Sequence, residues 1–284
     1  MIEIILLVSS VLFIFALKLF GRPSTAHRAN TFAMLAMALA VFSAFNFDFS
    51  KYDSAFYITI VVSGLLGVLI SKRVQMTQMP ELVGLFNGFG GGASGAIAYV
   101  ELSGSSLPIS DVFVAIFSMV IGMFTFSGSL VAVMKLRGKL NNFSKKLADI
   151  FSVFLPTIIV IPAVLEMDDL LIEFIILVAL IAGIIRVAVI GGADMPVVIA
   201  FLNSLSGIAA MSAGFIVNSI ILIIAGALVG ASGIILTLLM CAAMNRTLLD
   251  VLKGGFGGTS ITVSYTHLRA HETGRNLVCR LLLE

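Results

Sequence analysis

Charged residues are scarce in this sequence. Asp, Glu, Lys and Arg make up 11% of its 284 residues, whereas soluble domains carry roughly 25%. Apolar residues account for 60% of the chain, and the mean hydropathy is +1.14. This balance excludes a soluble globular domain and predicts an integral membrane protein.

Cysteine is scarce as well, with two residues in the whole chain. Cys241 ends an apolar segment, and Cys279 lies near the C-terminus. Two cysteines so placed offer neither a disulfide framework nor a closely spaced set of metal ligands. The sequence therefore predicts no metal site.

Long apolar runs divide the chain into membrane-spanning segments. Runs of about 17 to 25 residues cross a hydrocarbon core as helices. Glu3, with no basic residue ahead of the first run, argues against a cleaved signal peptide. The fold class is predicted to be an all-α, polytopic membrane bundle of nine transmembrane helices, at about 2–20, 31–46, 55–71, 81–100, 112–134, 149–165, 169–186, 196–213 and 215–240.

Basic residues are concentrated in alternate loops. The loops that follow odd-numbered spans hold thirteen Lys and Arg residues, and the other loops hold Lys51 alone. Because basic loops stay in the cytoplasm, the N-terminus is predicted to lie outside and the C-terminus inside.

Glycines crowd the segment MPELVGLFNGFGGGASG, residues 79–95. Their spacing at 90–95 fits a dinucleotide-binding loop, but such a loop follows a strand on a soluble sheet. Here the glycines lie inside a predicted span, where small residues let helix backbones approach closely. We therefore expect a packing face formed by Gly84, Gly88, Gly91, Gly92 and Gly95.

Packing does not explain Asn87. Counted from Pro80, its amide lies roughly 10 Å into the membrane, where an unpaired polar group costs on the order of several kcal/mol. The amide therefore requires a partner or a water-filled cavity.

A second segment, DMPVVIAFLNSLSGIAA at 194–210, repeats this design. In both copies Met-Pro is followed by six residues and then Asn, so Asn203 corresponds to Asn87. Matched spans in two halves of a chain indicate a transport site, and these two are predicted to run parallel. Chance similarity between two helices rich in small residues is the alternative.

Other spans carry small, hydroxyl or ionisable side chains. Packing and a proton pathway both fit Ser118, Gly122, Thr125 and Ser129 of the fifth span and Gly226, Gly230 and Gly233 of the ninth. Ionisable groups near the inner ends of spans either snorkel to the surface or gate a cavity; they are Glu81, Arg186 and Asp194. No predicted span contains His, the side chain whose pKa most readily falls near 7, and Asn cannot itself carry a proton.

The composition changes abruptly near residue 264. SYTHLRAHETGRNLVCRLLLE has neither a membrane pattern nor helical periodicity. We interpret 264–284 as a non-native tail, the alternative being a short cytoplasmic one. The remaining chain is then a transmembrane domain, 1–245, and a glycine-rich hinge, 246–263, to a missing cytoplasmic domain.

Residues 79–95, 190–215 and 226–257 resemble the beta subunit of proton-translocating NAD(P)+ transhydrogenase. That family has nine spans in this orientation, followed by a cytoplasmic NADP(H)-binding domain. The resemblance implies hydride transfer between NAD(H), on the alpha subunit, and NADP(H), on the missing domain, coupled to inward proton movement. It also implies a dimer of protomers in the bacterial inner membrane, with no catalytic or cofactor-binding residue in this chain and no nucleic-acid partner.

The resemblance also implies residue roles. Asn203 matches a pathway asparagine, and Asp194 an acidic residue at the cytoplasmic end of the same helix. Asn87 stands where some members have a proton-binding His, so a histidine on the alpha-type partner is expected to take that role. The remaining assignments by resemblance are Gly226, Gly230, Gly233 and Arg246 to packing or gating, and Ser127 and Ser129 to the pathway. Glu81 is assigned to the pathway because it is an ionisable group near the inner end of its span.

Two other functions fit parts of the pattern. A secondary transporter of a small solute, built on the two-fold repeat, would work without a partner. A membrane anchor for a soluble enzyme would leave the buried asparagines unexplained.

Overall fold

A computed structural model describes residues 2–44, 53–104, 107–140 and 169–253. All regular structure in these ranges is helical, which confirms the predicted all-α class for this part of the chain. The helices are α1 (Ile2–Phe20), α2 (Ala26–Ala44), α3 (Ser54–Arg73), α4 (Met79–Gly104), α5 (Ile109–Leu136), α6 (Asp169–Ala188), α7 (Met195–Ile216), α8 (Ile220–Ala243) and the short α9 (Leu248–Leu252).

Five stretches of the described chain are long and apolar enough to cross a membrane: α3, α5, α6, α8 and Gly192–Ile216, which contains α7. The apolar part of α1, Ile4–Phe20, is shorter. The count of nine spans and the orientation stay predictions. The predicted sixth span, most of the hinge and the segment 264–284 lie outside the described residues.

Two helix bounds differ from the ends of the predicted spans. Helix α2 begins at Ala26 rather than at residue 31, so His27 falls in its first turn, where the side chain is exposed. The ninth span does not begin at 215, because α7 continues to Ile216 and a turn follows. Asn218 takes a positive φ of 52° in that turn, and the Ser219 hydroxyl caps α8 by accepting from the Leu222 amide.

Helix α5 lies at the centre of the bundle and packs against α4, α6 and α7. Glycines bring these helices close: a Cβ at Gly122 would lie 2.5 Å from the Gly91 carbonyl oxygen, and one at Gly183 would lie 2.3 Å from that of Phe124. Such approaches are impossible for a residue with a side chain. The predicted role of the α4 glycines in close packing is confirmed at this α4–α5 contact.

Helices α4 and α7 begin alike and run in the same direction. Each starts at the Met of its Met-Pro pair, directly after a three-residue 3-10 turn. Gly84 faces Ile199 and Gly91 faces Ser206, so contacting residues advance together along both helices. The predicted parallel arrangement of the two repeat segments is therefore confirmed.

The other helices are less enclosed. Helices α1 and α2 pack against each other, and the Ser9 hydroxyl donates to the Ala36 carbonyl at 2.8 Å. No residue of α3 is buried by the described part of the chain. These helices leave the α4–α8 bundle as the only well-packed core of the described ranges.

Candidate functional site

A cavity of about 450 Å³ lies between α4, α7 and α8. Most of its lining is apolar, and its polar side chains are Asn87, Asn203 and Ser206. The two asparagines reach the same cavity because their helices pack in parallel with matched starts. The structure therefore brings together the two amides that the sequence repeat singled out.

Asn87 is 7% exposed and only partly satisfied. Its Nδ2 donates to the Ser129 hydroxyl at 2.9 Å, which places this predicted site residue at the α4–α5 contact. Nothing in the described part of the chain donates to its Oδ1 atom. A buried acceptor without a donor is costly, and water or another donor entering the cavity would satisfy it.

Ser206 also contacts Asn87, and the sequence analysis missed it. Its hydroxyl donates to the Asn87 backbone carbonyl at 3.2 Å and so ties α7 to α4. Residues three apart share a helix face, so its position relative to Asn203 was a usable signal. A hydroxyl is both a donor and an acceptor, which makes Ser206 able to bridge a water to either amide.

The glycine face of α8 packs tightly on α7. A Cβ at Gly226 would lie 2.3 Å from the Met211 amide nitrogen, and one at Gly233 would lie 2.9 Å from Ser204. The Ser204 hydroxyl donates to the Gly230 carbonyl at 2.8 Å. Gly226 also lines the cavity, so the wall of the cavity and the α7–α8 contact both depend on this glycine.

Hydroxyl groups on α5 point in different directions. Ser127 donates to the carbonyls of Met123 and Phe124 at 3.2 Å and packs against Gly183 of α6. It does not line the cavity. Ser118 donates to the Ala209 carbonyl at 2.8 Å, joining α5 to α7. Of the predicted pathway serines, the structure brings only Ser129 to the asparagine site.

Ion pairs cluster at the end of the bundle where α4 and α7 begin. Asp194 is fully buried, and its two oxygens accept from Arg246 Nη1 at 2.7 and 2.8 Å. Glu81 accepts from Arg137 Nε at 2.6 Å, with the arginine side chain about half exposed. Neither acid lines the cavity. The predicted site residues therefore divide into an amide site and a charged end, which are joined by α4 and α7.

Lys135 is a second residue that the sequence analysis missed as a contact. It lies in the last turn of α5, is 6% exposed, and donates to the carbonyls of Ala188 and Ile190.

The described residues contain no cluster of His, Cys, Asp and Glu that could hold a metal ion.

Comparison with known proteins agrees with these features. The family model described as NAD(P) transhydrogenase beta subunit matches residues 2–278. Two relatives, both named NAD(P) transhydrogenase subunit beta and both from Rhodospirillum rubrum, are 35% identical over 265 residues. The alignment covers 88% of this chain and 57% of each relative, so the chain spans little more than half of their length.

The family match runs into the segment from residue 264, whose interpretation as a non-native tail stays a prediction. The matched range spans both Met-Pro segments, both asparagines and the glycine face of α8. With helices, paired segments and sequence in agreement, the chain belongs to the NAD(P) transhydrogenase beta subunit family.

Proposed function

We propose that this chain is the membrane part of a proton-translocating NAD(P)+ transhydrogenase, which couples inward proton movement to hydride transfer from NADH to NADP+. Family membership supports the reaction, and five membrane-length apolar helices support the location. The observation that carries the proposal is the buried Oδ1 of Asn87, which has no donor among the described residues and lies beside a cavity that also contains Asn203.

The amides would act by holding water. Asn offers both donors and acceptors but does not titrate, so Asn87 and Asn203 orient water molecules across a section that is otherwise apolar. Ser206 adds a hydroxyl that can reverse its direction of donation. The titratable group comes in trans, from a histidine on a membrane helix of the alpha-type partner, and the cavity is the place where the two would meet.

The proposed topology has nine spans, with the N-terminus outside and the C-terminus in the cytoplasm of a bacterial cell. Support comes from the directions of the helices: α4 and α7 run parallel, as do α5 and α6, where Ser127 lies against Gly183 and Lys135 reaches Ala188. In the proposed topology, spans four and eight run in the same direction, and so do spans five and seven.

The partners follow from the family. An alpha subunit would carry the NAD(H) domain and further membrane helices, and a cytoplasmic domain after the hinge 246–263 would bind NADP(H). The complex would be a dimer of protomers in the inner membrane. Arg246 lies at the start of this hinge, so its ion pair with Asp194 would relay movement of the NADP(H) domain to α7. Glu81, Ser127, Ser129 and the glycines Gly226, Gly230 and Gly233 would shape or gate the pathway.

The test uses the complete beta subunit with its alpha partner in proteoliposomes. Asn87→Leu and Asn203→Leu should each abolish the stimulation of NADP+ reduction by an imposed proton gradient, because an apolar side chain cannot hold the water chain. Asn30→Leu makes the same chemical change at an exposed position of α2 and should retain wild-type coupling.

Two results would count against the proposal. Full gradient stimulation in both cavity variants would show that the amides are not on the pathway. Solute uptake by the purified beta subunit alone, without its partner, would instead support the secondary transporter.

A further inference from the structure

Lys135 is buried where a lysine is not expected. Lysines near the ends of membrane helices usually extend to the water interface. The Lys135 side chain instead stays inside the bundle, and its ammonium donates to two backbone carbonyls, those of Ala188 and Ile190. An ammonium so enclosed is tolerated only when hydrogen bonds replace its lost hydration, and these two bonds tie the charge to the end of α6.

Both acceptor carbonyls lie where α6 ends and the connection to α7 begins. Ala188 is the last residue of α6, and Ile190 lies in the turn that leads to α7. A cation is favourable at a helix C-terminus because the last carbonyls have no partner within the helix. Lys135 therefore caps α6 from a neighbouring helix and fixes the point at which the connection to α7 starts.

The other end of the connection is held separately. Asp194, immediately before α7, is bound by Arg246 from the segment after α8. Between these two points lie Gly191, Gly192 and Ala193, and a Cβ at Gly192 would meet nothing within 4 Å in the described part of the chain. The short α6–α7 connection is thus held at one end by Lys135 of α5 and at the other by Arg246, which begins the hinge. Gly192 lies between these two contacts.

We infer that Lys135 is a positioning residue for the start of α7. By holding the end of α6 stationary, it confines any movement transmitted through Arg246 to α7, the helix that carries Asn203 and Ser206. This role rests on the proposed function, because it gives the proton pathway a fixed reference point. Lys135 itself does not line the cavity and takes no part in proton transfer.

Cys241 provides a native probe of this region. It is 2% exposed and packs in the cluster that contains Ala188, Ile190 and Met195, the first residue of α7. Its reaction with N-ethylmaleimide, followed by peptide mass spectrometry in the complete complex, therefore reports how often this end of the bundle opens. The probe does not depend on hydride transfer.

Four variants distinguish the loss of the charge and its hydrogen bonds from a change in side-chain size. Lys135→Met removes the charge at similar length, Lys135→Arg keeps charge and donors, and Lys135→Gln keeps one donor without charge. Lys139→Met removes a charge from an exposed position four residues away. Loss of charged hydrogen bonds should raise the rate of Cys241 labelling about tenfold in K135M, and less in K135Q. K135R and K139M should label at the wild-type rate.

The activity measurement uses the same proteins in proteoliposomes. In K135M the stimulation of NADP+ reduction by a proton gradient should fall about tenfold, with the KM for NADP+ unchanged, and K135R should retain stimulation. Wild-type Cys241 labelling or wild-type stimulation in K135M would overturn the inference, as would an equal loss in K135R and K135M. If K135M does not accumulate in membranes, K135Q is compared with K135R by the same criteria. A wild-type complex without gradient stimulation would instead contradict the proposed function, while the labelling series would still test Lys135.

Discussion

The Asp194 carboxylate is fully buried, and each of its two oxygens accepts a hydrogen bond from the same nitrogen, Nη1 of Arg246, at 2.7 and 2.8 Å. The two residues are 52 positions apart in sequence, and they join the start of α7 to the chain that leaves α8. The segment after Arg246 is held as well: Val251 of α9 is fully buried in the cluster that contains Met195 and Val198. Movement of this segment is therefore mechanically linked to α7.

Removing one partner of this pair should be more damaging than removing both. Arg246→Met leaves an unpaired buried carboxylate and should destabilise the bundle by about 3–5 kcal/mol. Asp194→Asn combined with Arg246→Met removes both charges of this pair and should recover much of that loss. Denaturant unfolding of the purified complex in detergent, followed by the loss of Cys241 protection, provides the measurement. A double variant as unstable as Arg246→Met would contradict the expected charge effect.

The α7–α8 contact should tolerate no added methyl group. A Cβ at Gly226 would lie 2.3 Å from the Met211 amide nitrogen, and one at Gly207 would lie 2.3 Å from that of Gly230. Gly226→Ala must therefore push backbone apart, and we expect a destabilisation of about 1–3 kcal/mol together with lost coupling.

Gly64→Ala is the matched control, because a Cβ at this position of α3 would meet no described residue within 4 Å. Alanine favours a helix over glycine by about 1 kcal/mol, so this variant should be neutral or stabilising. Equal stability of Gly226→Ala and Gly64→Ala in thermal aggregation assays would show that the two helices can separate at no cost.

Asn87→Leu should lose proton coupling without losing stability. Its Oδ1 has no donor in the described ranges, so Asn87→Leu removes an unsatisfied buried atom and loses one hydrogen bond to Ser129. We expect the variant to be equal to the wild type or more stable by about 1 kcal/mol, although proton coupling is lost. Parallel measurements of unfolding and gradient stimulation check this. A variant that loses both would indicate that the amide serves the fold.

The capping box of α9 predicts a titration at low pH. The Thr247 side chain and backbone donate hydrogen bonds to Asp250 and lower the pKa of its carboxyl below the ordinary value of 3.8. A lowered folded-state pKa contributes stability that is complete above the ordinary value and is lost as the pH falls through the folded-state value. Docking of α9 should therefore be independent of pH above 3.8 and weaken only below it.

Thr247→Ala removes the side-chain hydrogen bond, which is the largest cause of the shift. The pKa of Asp250 should then rise toward 3.8, as followed by carboxyl NMR on aspartate-labelled protein. An unchanged pKa in this variant would show that the capping box does not set it. Thr59→Ala, at an exposed position of α3, serves as the control for loss of a hydroxyl.

The parts of this site that could be predicted are those set by short-range patterns. The Met-Pro pairs mark the starts of α4 and α7 because proline suits the first turn of a helix. Matched starts then carry Asn87 and Asn203 to the same depth. The close approach at Gly91 and Gly122 was also predictable, since small residues in lipid have few other uses.

Other features depend on contacts between distant segments. Nothing in the sequence around Ser127 shows that its hydroxyl turns back onto its own helix beside Gly183. Lys135 looks like an ordinary basic residue at a helix end until Ala188 and Ile190 are placed beside it. The boundary between α7 and α8 was placed a few residues too early because the residues before Asn218 are as apolar as the helices on both sides.

The parallel packing of α4 and α7 has an electrostatic consequence. Each helix carries roughly half a positive charge at its N-terminus, and here both N-termini lie at one end of the bundle. Glu81 in the first turn of α4 and Asp194 before α7 place a carboxylate at each. Because Arg137 and Arg246 engage these acids, the electrostatic potential at this end of the bundle depends on two guanidinium groups. Loss of either ion pair would leave a carboxylate beside a helix N-terminus and make this end of the bundle more attractive to cations, so the two arginines control the local potential.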